Sequence, residues 1–157
     1  MREPANVRLN IKNLAIRRGI TIKKVMELCK FSSQYLYNIE DSPLFIPIVT
    51  VAELMNVSIE SLVFDAFYLG EAPKPHQYKG CRRIPIAEQI NAISRANKIS
   101  LFDLETEIGI SYQYVYRAKD SGRSPQLYSA IAIADYAGIS LDELVYVPFQ
   151  RIARNDV

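Results

Sequence analysis

The chain has 157 residues, of which 49% are hydrophobic, and its 19 Lys and Arg against 17 Asp and Glu give a formal net charge of +2 at pH 7. A chain with this balance is not attracted to phosphate as a whole, so any binding of nucleic acid must depend on local charge. No apolar run approaches the roughly 18 residues that span a bilayer, and the first residues lack the apolar core of a signal peptide, which favours a cytoplasmic protein without membrane association.

An internal repeat organises the sequence. Residues 11 to 42 align with residues 90 to 121 at a shift of 79 positions, with eight identities in 32 positions. Chance would give about two. Farther along, the shift becomes 82, so that the segment beginning at Ser58 aligns with the segment beginning at Ser140. Two repeats of roughly 60 residues each are close to the lower size limit for an independent core, and the repeat therefore predicts two small domains.

The predicted domain boundaries follow the repeat and the composition. The first domain comprises residues 1 to 68, the linker 69 to 84, the second domain 85 to 148 and the tail 149 to 157. The linker contains two prolines, which stiffen it, and four basic residues against one acidic residue. Its basic side chains could follow a phosphate backbone or enter a minor groove, and a merely solvated linker is an equal alternative. These side chains are Lys74, Lys79, Arg82 and Arg83.

Each repeat opens with an amphipathic helix followed by a second short helix. Apolar residues at helical spacing predict the buried face of the first helix. These are Val7, Ile11 and Leu14 in the first copy and Ile86, Ile90 and Ile93 in the second. Thr21 and Ser100 are N-cap candidates for the second helix. Its predicted inward residues are Val25, Leu28 and Cys29 in the first copy and Leu104 and Ile108 in the second.

A tight turn and a third helix follow in both copies. The turn falls at Lys30 and at Gly109, where a positive φ suits the glycine and not the lysine. Ser32 and Ser111 are predicted to cap the third helix. Its outward positions carry polar or aromatic side chains. They are Ser33, Gln34, Tyr37 and Asn38 in the first copy and Tyr112, Gln113, Tyr116 and Arg117 in the second.

Two more helices complete each repeat. The fourth helix is predicted to bury Val49, Ala52 and Leu54 in the first copy and Ile131, Ala134 and Tyr136 in the second. The fifth begins at Ser58 or Ser140, and Glu143 stands at capping-box spacing from Ser140. Each repeat is thus predicted to contain five short helices and no strand, so the predicted fold class is all-α.

The second and third helices of each copy resemble the Cro and lambda-repressor type of helix-turn-helix, the Xre family. In the second copy the resemblance includes residues 104 to 111 and 114 to 117, and it continues through Ser124-Pro125, Ile133-Ala134 and residues 138 to 144. It covers about 60 residues per copy, more than an isolated turn motif. The resemblance implies two tandem five-helix lambda-repressor-like DNA-binding domains joined by a basic linker that contains proline.

Two features depart from the family pattern. Met26 and Glu105 stand where the family usually has a small residue in the second helix, and the first copy lacks the turn glycine. Glu105 could point outward if its helix is slightly rotated, whereas Met26 would have to repack the helix crossing. These departures make the first copy the more divergent one.

The third helix offers side chains that suit base recognition. Gln34 and Gln113 could bond an adenine bidentately, and Arg117 could bind a guanine or a phosphate. The backbone N–H groups beside the capping serines could bind a phosphate. The paired Tyr37 and Tyr116 suit either a contact with a thymine methyl group and a phosphate or a protein interface. The other residues also have an ordinary interpretation: the glutamines on a solvated helix face, and Arg117 in a surface salt bridge.

The resemblance implies a sequence-specific DNA-binding transcriptional regulator, a repressor of bacterial or phage origin that acts by occupying an operator. Such proteins place two recognition helices about one helical turn apart, and a tandem repeat resembles a covalent version of their dimer. Double-stranded DNA is the expected partner in a cytoplasmic, nucleoid-associated protein, and homodimerisation would lengthen the site. No metal or cofactor is expected, because His76 is the single histidine and Cys29 and Cys81 are too scattered to form a zinc site.

A protein-binding module on the same scaffold, such as an antirepressor or an inhibitor of a host enzyme, is the competing hypothesis. It is favoured by the ten tyrosines and by residues 86 to 146, which carry 5 Lys and Arg against 8 Asp and Glu. An enzyme is not expected, because the serines have no neighbouring base and Glu105 and Glu107 lie on different faces of their helix.

Overall fold

A computed structural model of the chain describes residues 1–30, 44–109 and 124–150. These residues form eight α-helices, one 3-10 helix and no strand, which confirms the predicted all-α class for this part of the chain. The third predicted helix of each repeat lies outside the described residues. No described helix is long and apolar enough to cross a membrane.

The chain divides into two compact units, one comprising Arg2–Lys79 and the other beginning at Gly80. The helices of the first unit are α1 (Val7–Arg17), α2 (Ile22–Cys29), α3 (Phe45–Met55) and α4 (Ile59–Phe64), followed by the 3-10 helix Phe67–Leu69. Those of the second unit are α5 (Ile86–Ala96), α6 (Leu101–Ile108), α7 (Leu127–Ala137) and α8 (Leu141–Tyr146). The bounds repeat at a shift of 79 for α1/α5 and α2/α6 and of 82 for α3/α7 and α4/α8. The helices therefore follow the two registers of the sequence repeat.

The helix starts show the predicted N-caps. The Thr21 hydroxyl accepts a hydrogen bond from the backbone N–H of Lys24 at 3.0 Å, and Ser100 caps α6 in the same way. The Ser140 hydroxyl accepts from the backbone N–H of Glu143, whose carboxylate accepts in turn from the Ser140 N–H, both at 3.0 Å. The predicted capping box is therefore confirmed, and it satisfies two N–H groups that have no partner within the helix.

The core is formed mainly by the predicted helix faces. All six predicted residues of the first helices, α1 and α5, are buried. The prediction that Leu28 and Leu54 face inward is wrong, because these side chains are 49% and 39% exposed. On α2 the buried stripe runs through Val25, Met26 and Cys29, and Leu28 projects about 100° away from its centre. On α3, Leu54 lies on the side opposite the buried residues.

Three turn positions in each unit adopt the left-handed conformation. The pairs are Gly19 and Lys98 (φ 68° and 52°), Lys30 and Gly109 (φ 60° and 78°), and Asn56 and Gly138 (φ 56° and 68°). Each pair has glycine in one copy and a residue with a side chain in the other. Lys30 therefore takes the conformation of its glycine counterpart, although a Cβ atom makes that conformation costly.

Lys98→Gly is expected to stabilise the second unit by about 0.5–1 kcal/mol, because it removes the Cβ clash at a left-handed position. Urea unfolding of the full chain measures the change. Lys23→Gly is the control, since the same substitution at a right-handed helical position in the first turn of α2 should destabilise the protein. Equal effects of the two substitutions would contradict the expectation.

A buried side-chain amide joins the first helix of the first unit to the end of its last helix. The Asn10 Nδ2 donates to the carbonyl oxygens of Leu62 at 2.8 Å and Asp65 at 2.6 Å. The Asn10 Oδ1 accepts from the backbone N–H of Phe67 at 2.9 Å. The side chain thereby satisfies backbone groups at the end of α4 that the helix itself leaves open.

The second unit repeats this arrangement with a glutamine. The Gln89 Nε2 donates to the carbonyl oxygens of Leu144 at 2.9 Å and Val147 at 2.7 Å, and its Oε1 accepts from the N–H of Phe149 at 3.0 Å. Each partner is the counterpart of an Asn10 partner at the shift of 82. Asn10 and Gln89 are 0% and 2% exposed. We call these two residues the amide clamps.

Candidate nucleic-acid interface

The interface predicted from the sequence centres on the third helix of each copy. All ten of its predicted contact residues lie outside the described residues. They are Ser32, Ser33, Gln34, Tyr37, Asn38, Ser111, Tyr112, Gln113, Tyr116 and Arg117. The described parts of the candidate interface are α2, α6, their turns and the linker.

The inner side of α2 and of α6 packs in the core of its unit. Met26 is 4% exposed and its counterpart Glu105 is 0% exposed. The suggestion that Glu105 points outward is therefore wrong. Glu105 follows Leu104 on the buried side of α6, just as Met26 follows Val25 on the buried side of α2. Each helix therefore turns the same side towards the core of its own unit. Burial also raises the pKa of the Cys29 thiol, as expected for a packing residue.

The outer side of α2 is basic. Its exposed charged residues, with those of the two flanking turns, are Arg18, Lys23, Lys24, Glu27 and Lys30. They sum to +3. The turn residue Lys30 is the last of them, and its left-handed φ of 60° redirects the chain at the end of α2.

The outer side of α6 has a different character. Phe102 is 57% exposed and stands at the position of Lys23. Asp103 stands at the position of Lys24, and Glu107 is also exposed. Desolvation, with a further contribution from the negative charge of Glu107, raises the pKa of the Tyr136 phenol on α7. With Lys98, the exposed charges of this helix and its turns sum to −1.

The four basic linker residues are exposed, and part of the predicted linker belongs to the first unit. Lys74, Lys79, Arg82 and Arg83 are all solvent-facing. The Lys74 backbone N–H donates to the Ser61 hydroxyl at 3.0 Å, and the Lys74 carbonyl accepts from the Ser58 N–H at 2.8 Å. These bonds hold Lys74 against the start of α4, so its side chain extends from a defined backbone.

The described residues contain no group of three or more His, Cys, Asp or Glu side chains placed to hold a metal ion. Cys81 is exposed and His76 is half-buried in the linker, where its backbone N–H donates to the Asn56 carbonyl at 3.3 Å.

Comparisons with protein-family models, with curated proteins and with solved structures find no match to the chain. The resemblance to the Xre type therefore depends on the sequence motifs named above.

Proposed function

We propose that the protein is a sequence-specific DNA-binding transcriptional regulator, with two tandem five-helix lambda-repressor-like domains and a basic linker. It represses by occupying an operator, without catalysis, in the cytoplasm and at the nucleoid. The partner is double-stranded DNA, and two copies of the chain would bind a longer symmetric site.

One observation carries this proposal. In both units a short, N-capped helix ends in a left-handed residue, Lys30 or Gly109, immediately before the segment that repeats Ser, Gln and Tyr at equivalent positions. A helix followed by such a turn precedes the recognition helix of a helix-turn-helix, whose outward side chains enter the major groove. The matching bounds of the flanking helices support the same scaffold in both copies.

Selection of bound duplexes from a random pool tests the proposal. We expect enrichment of a site with two different half-sites about 10 base pairs apart, because the third helices differ at Ser33/Tyr112 and Asn38/Arg117. A scrambled duplex of the same length serves as the control. A pool that shows no enrichment after several rounds would overturn the proposal.

The affinity for the selected duplex is expected to fall steeply with salt. Each phosphate neutralised by Lys or Arg contributes about −0.9 to the slope of log K against log salt concentration. A complex with four such contacts, for example, would have a slope of roughly −3.6. Fluorescence anisotropy between about 50 and 200 mM salt measures the slope. Binding with a slope near zero would not be binding to the DNA backbone.

A protein-binding role is a second candidate, and one observation on the second unit favours it. The exposed Phe102 is accompanied on α6 by Asp103 and Glu107, and an aromatic residue with a polar rim is typical of protein interfaces. If the protein has this role, the purified chain should show no duplex binding whose affinity falls steeply with salt. The same titration therefore distinguishes the two functions.

A further inference from the structure

The outer sides of α2 and α6, which are equivalent helices of the two units, carry opposite net charge. The outer side of α2 with its flanking turns carries +3, and the outer side of α6 carries −1. Because α2 and α6 have matching bounds and matching caps, this difference comes from the side chains and not from the backbone. A polyanion that binds one surface would be repelled by the other.

The basic side chains of the first unit occupy both ends of α2. Arg18 precedes the helix, Lys23 and Lys24 lie in its first turn, and Lys30 follows its last residue. The second unit has Asn97, Phe102, Asp103 and Gly109 at these positions. Not one of the four basic residues is retained.

These lysines are available to a ligand, unlike other basic side chains of the same unit. Arg2 forms a salt bridge with Glu60, and the Arg17 guanidinium donates to the Phe67 carbonyl at 2.8 Å. Among the described residues, Lys23 and Lys24 form no ion pair. Glu27 lies four residues after Lys23 on α2, where an exposed pair would contribute only about 0.3–0.5 kcal/mol.

We propose that the outer side of α2 in the first unit contacts the phosphate backbone, and that the corresponding side of α6 in the second unit does not. The inference rests on the proposed function, in which the helix before the recognition helix crosses the DNA backbone. The ligand of the α2 surface is the phosphate backbone of a duplex. The unit that departs more from the family pattern thus contributes phosphate contacts that α6 of the other unit lacks.

Salt-dependent binding by the full-length chain tests this assignment. The variant Lys23→Gln/Lys24→Gln removes two positive charges from α2, and Arg95→Gln/Lys98→Gln removes two exposed positive charges from the second unit. Both variants change the net charge by the same amount, so a general effect of charge is the same in each. All four residues are exposed, and thermal melting verifies that both variants remain folded.

We expect the α2 variant to reduce the magnitude of the salt slope by about 1.8, since each lost contact removes about 0.9. Its affinity at about 50 mM salt should fall at least tenfold, because the lost contacts matter most at low salt. The second-unit variant should keep the wild-type slope and affinity.

Three results would overturn the assignment. An unchanged slope in the α2 variant, or an equal loss in the second-unit variant, would overturn it while leaving DNA binding intact. If the wild-type chain binds no duplex, the proposed function fails and the assignment fails with it. Binding by the wild-type chain therefore separates the two ideas.

Discussion

Gln89→Ala is expected to destabilise the second unit by about 3 kcal/mol, because it removes an amide clamp and leaves three backbone groups without their partner. Gln89 is 2% exposed, so water cannot readily replace its bonds to Leu144, Val147 and Phe149. An unsatisfied buried polar group costs about 1–3 kcal/mol, and each carbonyl retains some capacity for other bonds. For a domain of this size the loss corresponds to a fall of roughly 15 °C in melting temperature.

Asn91→Ala is the matched control in the same helix. The Asn91 amide is half-buried and donates only to the Ala87 carbonyl one turn back, at 3.1 Å. Its loss should change stability by less than about 0.5 kcal/mol, because alanine is itself the best helix former. Urea unfolding measures the difference between the variants. A Gln89→Ala variant as stable as Asn91→Ala would show that the clamp contributes little.

The same reasoning applies to Asn10 in the first unit. Asn10→Ala should destabilise that unit by a similar amount, about 3 kcal/mol. Hydrogen exchange can assign each effect to a unit, since Asn10→Ala should increase exchange in α1 and α4 and Gln89→Ala in α5 and α8. The amide donates to residues Leu62 and Asp65 at the end of α4, so the exchange at that end should increase first.

Arg117→Ala is expected to weaken binding to the selected duplex by about 1–3 kcal/mol, or roughly fivefold to 150-fold. If Arg117 bonds a guanine, the loss should be restricted to one position of the site, and the preference at that position should relax. This pattern differs from that of the α2 lysines, whose loss should weaken binding to all sequences equally. Anisotropy titrations with the selected duplex and single-base variants measure both effects.

Arg95→Ala is the control for this substitution. Arg95 is an exposed arginine in the last turn of α5, so its replacement removes the same group from the same unit without touching the predicted recognition helix. Its affinity should match that of the wild type. An Arg117→Ala variant that keeps both affinity and base preference would exclude Arg117 from base recognition.

The helix scaffold was largely predictable because its signals are local. A hydroxyl at Thr21, Ser58, Ser100 or Ser140 bonds an N–H three residues away, and the apolar spacing of Ile11 and Leu14 lies within one helix. The buried face of a short helix is harder to predict, since eight residues leave the centre of its apolar stripe uncertain by one position. An error of one position places Leu28 on the wrong side of α2.

The sequence identifies which residues stand at equivalent positions of the candidate site, but it does not tell which of them are exposed. The sequence shows that Lys23 and Lys24 correspond to Phe102 and Asp103, and the structure shows that all four are exposed. Glu105 illustrates the limit. Its charge suggests solvent, but its place beside Leu104 on α6 buries it.

The sequence by itself determined the repeat, the order of the described helices, the caps at Thr21, Ser58, Ser100 and Ser140 and the two registers, because each of these depends on residues close together in the chain. Only the tertiary structure decided the roles of Asn10 and Gln89, whose partners lie 52 to 60 residues away along the chain. A side-chain amide that bonds backbone groups so far away along the chain leaves no periodic pattern in the sequence. Its burial and its bonds exist only once the first and last helices of a unit are packed together.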